Sequence, residues 1–233
     1  MKLSSLTIFF PSLNDAIVLP SLIMKAHETG KSVTDDLEII VINDGSTDTT
    51  SQTILKLQKT YPELRLVEHE NTLGYGAALR SGFTHATKDY VFYTDGDGQY
   101  EPAELALLVS KMNGGVTIVN GYKIKRHDGW LRRVSGEFYN ASLHRLFRLP
   151  ISDIDCDFRL IKRRALSKLA LVSSSGVICL ELILKLYKGG AVFREVAVHH
   201  YPRRFGRSQF FRPARLIHTA KELLRVWYYR HTI

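Results

Sequence analysis

Short apolar runs and longer amphipathic stretches alternate along the front half of the chain. Leu6–Phe10, Glu38–Asn43, Leu64–Glu68 and Tyr90–Thr94 are rich in β-branched and aromatic residues, which predicts strands. Between them, the wider apolar spacing of Ala16–Gly30, Asp48–Tyr61 and Gly76–Thr87 predicts helices. A helix over Pro102–Met112 and a strand over Val116–Tyr122 continue the pattern. This order predicts an α/β fold, with a mostly parallel central sheet and helices on both faces. Ligands of such sheets bind beyond the carboxyl ends of the strands, so the loops there are where chemistry belongs.

Beyond Tyr122 the pattern loosens. Lys123–Arg133 reads as a basic loop and Val134–Phe147 as a helix. Phe158–Lys162 and Val192–His199 read as strands flanking a helix near Leu180–Lys188. In the tail, Leu216, Ile217, Ala220, Leu223, Leu224, Trp227 and Tyr228 fall on one helical face, with Lys221, Arg225 and Arg230 elsewhere. Such a helix suits a membrane interface, and equally docking on the domain or on another subunit.

Charge divides the chain more sharply than hydropathy does. Residues 1–119 hold 9 Lys/Arg against 15 Asp/Glu, whereas residues 120–233 hold 23 against 8. The basic back half predicts an anionic partner: phosphate, nucleic acid or a lipid headgroup. No apolar run approaches the roughly 18–20 residues that a membrane span needs. Two cysteines, Cys156 and Cys179, are too few for a disulfide framework or a four-ligand zinc site. The expectation is a reduced, cytoplasmic chain, with at most peripheral contact at the inner face of the membrane.

Three constellations stand at predicted strand ends. In Asp95-Gly96-Asp97-Gly98-Gln99, carboxylates at i and i+2 with glycines between can hold a hard divalent cation through oxygen, though Asp and Gly also simply make turns. An EF-hand starting at Asp95 fails, because the glycine position holds Tyr100 and the closing Glu position holds Ala106. In Asn43-Asp44-Gly45-Ser46-Thr47-Asp48, Ser46, Thr47 or Asp48 can cap the next helix, and Asp44 can accept hydrogen bonds from a nucleobase. Asn71 to Gly82 contains glycines at 74, 76 and 82, but this is not the dinucleotide-binding spacing and does not follow the first strand. The Walker pattern is absent too, so a Rossmann dehydrogenase or P-loop NTPase is not expected.

Together with Pro11-Ser12-Leu13-Asn14-Asp15, Asp153-Ile154-Asp155-Cys156-Asp157-Phe158-Arg159 and Arg203-Arg204-Phe205-Gly206-Arg207-Ser208, these segments resemble the family 2 glycosyltransferases of the GT-A fold. The branch they look most like is the dolichol-phosphate-mannose-synthase-like one, which makes polyprenyl-phosphate sugars. The likeness covers about residues 5–210 in the family's order. It departs at Asp15, where Glu is usual, at Asn43, which replaces the first of two aspartates, and at Gln209, which replaces a common lysine.

The resemblance implies a GT-A domain over residues 1–210, with a nucleotide-sugar half (1–119), an acceptor half (120–210) and a C-terminal amphipathic helix over 211–233. It implies that Pro11, Asn14, Asp15 and Asp44 line the nucleoside pocket, with Ser46, Asn71, Gly74 and Gly76 also binding substrate. Asp95, Asp97 and Gln99 would hold Mg²⁺ or Mn²⁺, and Arg203 and Ser208 would fold over phosphates.

The implied reaction is metal-dependent, inverting hexosyl transfer from a nucleotide-diphosphate sugar to a polyprenyl phosphate, with Asp157 and Asp97 as the catalytic carboxylates. A hydroxyl acceptor needs a base, for which Asp157 is the candidate and Asp153 and Asp155 are rivals; a lipid phosphate needs none. Arg126 and Arg133, in the basic loop, suit phosphate binding. The alternatives are transfer to a saccharide or other hydroxyl acceptor, and a non-catalytic nucleotide- or nucleic-acid-binding module. Phe210 and Phe211 beside arginine suit a membrane interface as well as they suit nucleic acid, and nucleic acid is not the expected partner.

Overall fold

The computed structural model describes residues 2–124, 143, 145–147, 149–203 and 213–229. Among the described residues, seven strands form one sheet in the order β3-β2-β1-β4-β6-β5-β7. They are β1 (Leu6–Ser12), β2 (Leu37–Asn43), β3 (Leu64–Glu68), β4 (Tyr90–Thr94), β5 (Ile118–Lys123), β6 (Phe158–Lys162) and β7 (Phe193–Val198). All pairings are parallel except those of β6, which runs antiparallel to β4 and β5. The helices are α1 (Leu19–Val33), α2 (Thr50–Leu57), α3 (Tyr75–His85), α4 (Leu105–Lys111, entered through a 3₁₀ turn at Pro102–Glu104), α5 (Arg163–Leu166), α6 (Val177–Lys188) and α7 (Pro213–Tyr229).

Burial on both faces explains the unbroken apolar strands. Leu6, Ile8 and Phe10 of β1 join Ile39 and Val41 of β2 under α1 and α4. Phe9, Ile40 and Ile42 point the other way, into a second core with α3 and α6. Successive side chains of a strand alternate between faces, so two cores need apolar residues at every position.

The front-half elements lie within a few residues of their expected ranges. The helix expected over Ala16–Gly30 begins at Leu19, with Pro20 in its first turn, where a missing N–H costs nothing. The helix expected over Asp48–Tyr61 is shorter, Thr50–Leu57. That expected near Leu180–Lys188 begins three residues earlier, at Val177. The basic loop beyond Ile124 and most of the helix expected over Val134–Phe147 lie outside the described residues.

One buried carboxylate inside the sheet is well supplied with donors. Glu38 on β2 accepts from Thr7 Oγ1 (2.6 Å), the Thr87 amide (3.0 Å) and Arg65 (2.5 Å). Burial alone would push its carboxyl up, but these donors outweigh it and hold Glu38 below its ordinary value.

Candidate active site

Strand direction gathers the site. The carboxyl ends of β1, β2 and β4 share one edge, where the loops after Ser12, Asn43 and Thr94 begin. Because β6 is antiparallel, its first residue, Phe158, pairs with Thr94, the last of β4. Asp157 is thereby delivered to the same edge as Asp95. The chain leaves β5 and β7 there as well, so Tyr201 and Arg203 arrive from beyond β7.

Asp95 accepts a hydrogen bond from the Tyr75 hydroxyl (2.8 Å). Burial, then the charges of Asp157 and Asp97, push the Asp95 carboxyl well above its ordinary value. Asp97 is buried; its Oδ1 accepts from the Gln99 amide (3.1 Å), and its Oδ2 is paired with the Arg203 guanidinium. Gln99 donates its side-chain amide to the Tyr201 carbonyl (3.0 Å).

Oxygen donors of this kind suit a hard divalent cation, and the mutual repulsion of Asp95, Asp97 and Asp157 is what such a cation would relieve. Among the described residues, no three His, Cys, Asp or Glu side chains form a closed metal cage. Two carboxylates would leave positions open for substrate oxygens.

The β1 and β2 loops are stitched together. Asn14, at φ 60°, accepts through Oδ1 from the amides of Thr47 (2.8 Å) and Asp48 (3.2 Å), while its own amide donates to Ser46 Oγ (2.9 Å). Asp15 Oδ2 accepts from Ser12 Oγ (3.1 Å) and the Leu13 amide (3.0 Å), and burial raises its carboxyl despite them. The Pro11 carbonyl accepts from Gly96 (3.2 Å), which ties the first loop to the Asp95–Gln99 turn. Of the three capping candidates, Asp48 serves the helix: its Oδ1 accepts from the Thr50 amide at 2.9 Å.

Several residues expected on the donor have internal partners. Asp44 is buried and accepts from the amides of Leu73 (2.9 Å) and Gly74 (2.9 Å), with His69 Nδ1 at 2.7 Å. It thus shapes the loop that leads into α3. Gly74 and Gly76 make room for backbone: a Cβ on Gly74 would stand 2.8 Å from the Ser174 carbonyl oxygen, and one on Gly76 would lie 2.3 Å from that of Ser173. The backbone of Asn71 lies against Gly45, where a Cβ would come within 2.6 Å of the Asn71 carbonyl carbon. Arg126, Arg133 and Ser208 lie outside the described residues.

Asp157 sits in a network the sequence did not reveal. Its Oδ1 is approached by Arg159 Nη1 (2.9 Å), Cys179 Sγ (3.0 Å) and the Tyr93 hydroxyl (3.4 Å). Among the described residues its Oδ2 takes no hydrogen bond. Arg159 is fully buried and also donates to Asn120 Oδ1 (2.6 Å), Tyr93 and the Ile154 carbonyl. Burial, with the Asp157 charge, pushes the Cys179 thiol well up, so it stays protonated. The rival Asp153 is buried, and its Oδ2 accepts from the Lys123 amide (3.3 Å).

The comparisons agree with this architecture. In a complex with Mn²⁺, UDP-glucose and phosphoglyceric acid, glucosyl-3-phosphoglycerate synthase from Mycobacterium tuberculosis superposes with TM-score 0.75 and 18% identity, over 99% of this chain and 80% of that one. Its complex with Mn²⁺, UDP and phosphoglyceric acid gives TM-score 0.72 at 18% identity, over 97% and 78%. A further mycobacterial protein gives TM-score 0.67 at 18% identity, over 87% and 69%. The chain's α/β fold, with its seven-stranded, mostly parallel sheet, matches these GT-A nucleotide-sugar transferase neighbours. The model of glycosyl transferase family 2 matches residues 7–170, well over half of the sequence, and the chain belongs to that family.

Proposed function

We propose that the protein transfers a sugar, with inversion, from a nucleotide-diphosphate sugar to an acceptor seated against Asp157. One observation carries this reading: Asp157, with one oxygen anchored by buried donors, stands at the same sheet edge as Asp95 and Asp97. Asp95 and Asp97, with Gln99 beside them, would hold Mg²⁺ or Mn²⁺. When bound, the ion neutralises charge on the leaving diphosphate. Arg203, already on Asp97, supplies a second cation where that charge develops. The neighbours' complexes with Mn²⁺ and UDP-glucose support the donor chemistry.

For the acceptor we propose a polyprenyl phosphate, met at a membrane surface. Among the described residues, no helix is long and apolar enough to cross a membrane. Helix α7, however, leaves Ile217, Leu224, Trp227 and Tyr228 exposed, and the back half of the chain is basic. Of the tail residues expected on one face, Leu223 packs on the second core, while those four are exposed; Val226, outside that set, is buried.

A second reading, transfer to a hydroxyl, is favoured by Asp157 itself, since a carboxylate is what deprotonating a hydroxyl requires. The phosphoglyceric acid in the neighbours' complexes supports it. Incubation with UDP-, GDP- and dTDP-sugars and Mn²⁺, with undecaprenyl phosphate in one arm and 3-phosphoglycerate in the other, tests both. Glycosylated lipid alone supports the first reading and glycosylated phosphoglycerate alone the second; no product with any pair overturns both.

A further inference from the structure

Helix α7 reaches the donor side of the molecule through one carboxylate. Glu222 Oε1 accepts from the Ser174 amide (2.7 Å) and Ser174 Oγ (3.1 Å), and Oε2 accepts from the Ser175 amide (3.0 Å) and from Ser175 Oγ. His218, one turn earlier, lies 2.8 Å from Ser174 Oγ and 3.3 Å from Glu222. From below, Glu181 on α6 takes the Ser173 amide (2.8 Å), and Arg80 on α3 binds the Ser173 carbonyl.

The loop gripped in this way is the one pressed on the glycines. The Ser174 carbonyl accepts the Gly76 amide (2.8 Å), and the Ser173 and Ser174 carbonyls fill the space that side chains at 76 and 74 would need. Between those glycines is Tyr75, whose hydroxyl holds Asp95, and Gly74 also donates to Asp44 (2.9 Å). An unbroken run of hydrogen bonds and backbone contacts therefore leads from α7 to Asp95.

We propose that Glu222 is a positioning residue for the donor site: by clamping Ser174 and Ser175 it seats the Gly74–Gly76 turn and thereby sets Tyr75 on Asp95. The inference rests on the reading of Asp95 as part of a metal and nucleotide site. Helix α7 also contributes Val226 to the second core, so its packing role can be probed separately from Glu222.

The test is calorimetric titration of the full chain with UDP in the presence of Mn²⁺, alongside thermal unfolding. Glu222→Ala is expected to weaken nucleotide binding by about 2- to 30-fold, a magnitude usual for residues that couple at a distance. Ser175→Ala, a gentler cut at the same clamp, is expected to weaken it in the same direction. Val226→Ala is expected to lower the melting temperature and leave the dissociation constant unchanged. Equal affinity in wild type, Glu222→Ala and Ser175→Ala overturns the inference, as does a loss in Val226→Ala that matches Glu222→Ala. If wild type itself binds no UDP with Mn²⁺, the donor reading fails, and the coupling inference with it.

Discussion

Arg159, wholly buried, donates through Nη1 to Asp157 Oδ1 at 2.9 Å, two residues back along the same strand entry. An isolated charge at this depth would be strongly disfavoured, so each of the two groups makes the other tolerable. Removing the cation strands the carboxylate. Arg159→Met is expected to cost about 3–5 kcal/mol of stability, measured by urea unfolding. Unchanged stability would mean that Asp157 finds other donors.

Substitution at Asp157 separates the acceptors. Asp157→Asn keeps the size of the side chain and loses the base. With a hydroxyl acceptor, kcat should fall by about 10²- to 10⁴-fold; with a lipid phosphate, already an anion, it should fall far less. Steady-state kinetics on the acceptor that turns over decides between them.

Arg203 on Asp97 places a fixed cation beside the expected diphosphate. Arg203→Ala should lower kcat by roughly 10²-fold, the loss usual for one preorganised charge-stabilising group. An undiminished kcat would reduce the contact to a surface ion pair.

Gly76→Ala forces a Cβ to within 2.3 Å of the Ser173 carbonyl oxygen, a backbone atom held from below by Arg80. Overpacking of this kind costs typically about 1–3 kcal/mol, read as a lower melting temperature. A neutral substitution would show that the 173–175 loop yields freely.

Acid sensitivity should follow Glu38. Its folded-state value lies below the ordinary one, so its contribution is complete above the ordinary carboxylate range. It is lost as pH falls through the lowered folded value, because the unfolded chain takes up the proton first. Glu38→Gln should therefore flatten the decline of stability below about pH 4.5, as followed by urea midpoints across pH. A wild-type slope in the variant would contradict the assignment.

The sheet was legible because its strands are mostly apolar runs rich in β-branched and aromatic residues, a pattern that local sequence carries by itself. The loops carrying Asp15, Asp44, Asp95 and Asp97 were legible for the same reason, since each follows a strand end. What stayed hidden depends on partners distant in sequence. Arg159 reads as an ordinary charged residue until Tyr93 and Asn120 close around it. Nothing near Gly74 and Gly76 in the sequence shows that the backbone at 173 and 174 fills the space beside them. Glu222, on a helix whose apolar stripe invites a lipid, gives no local sign that it grips Ser174 and Ser175.

The proposed function depends first on Asp95 and Asp97 forming a divalent-cation site for a nucleotide-diphosphate sugar. It is tested most directly by thermal unfolding with UDP-, GDP- and dTDP-sugars, each with and without Mn²⁺. Ligand at 100 times its dissociation constant stabilises by about 2.7 kcal/mol, which for a chain of this size raises the melting temperature by several degrees. Such a rise is expected with one nucleotide, only when Mn²⁺ is present, and is expected to be lost in Asp97→Asn. No rise with any pair, or a rise that survives in Asp97→Asn, would contradict it.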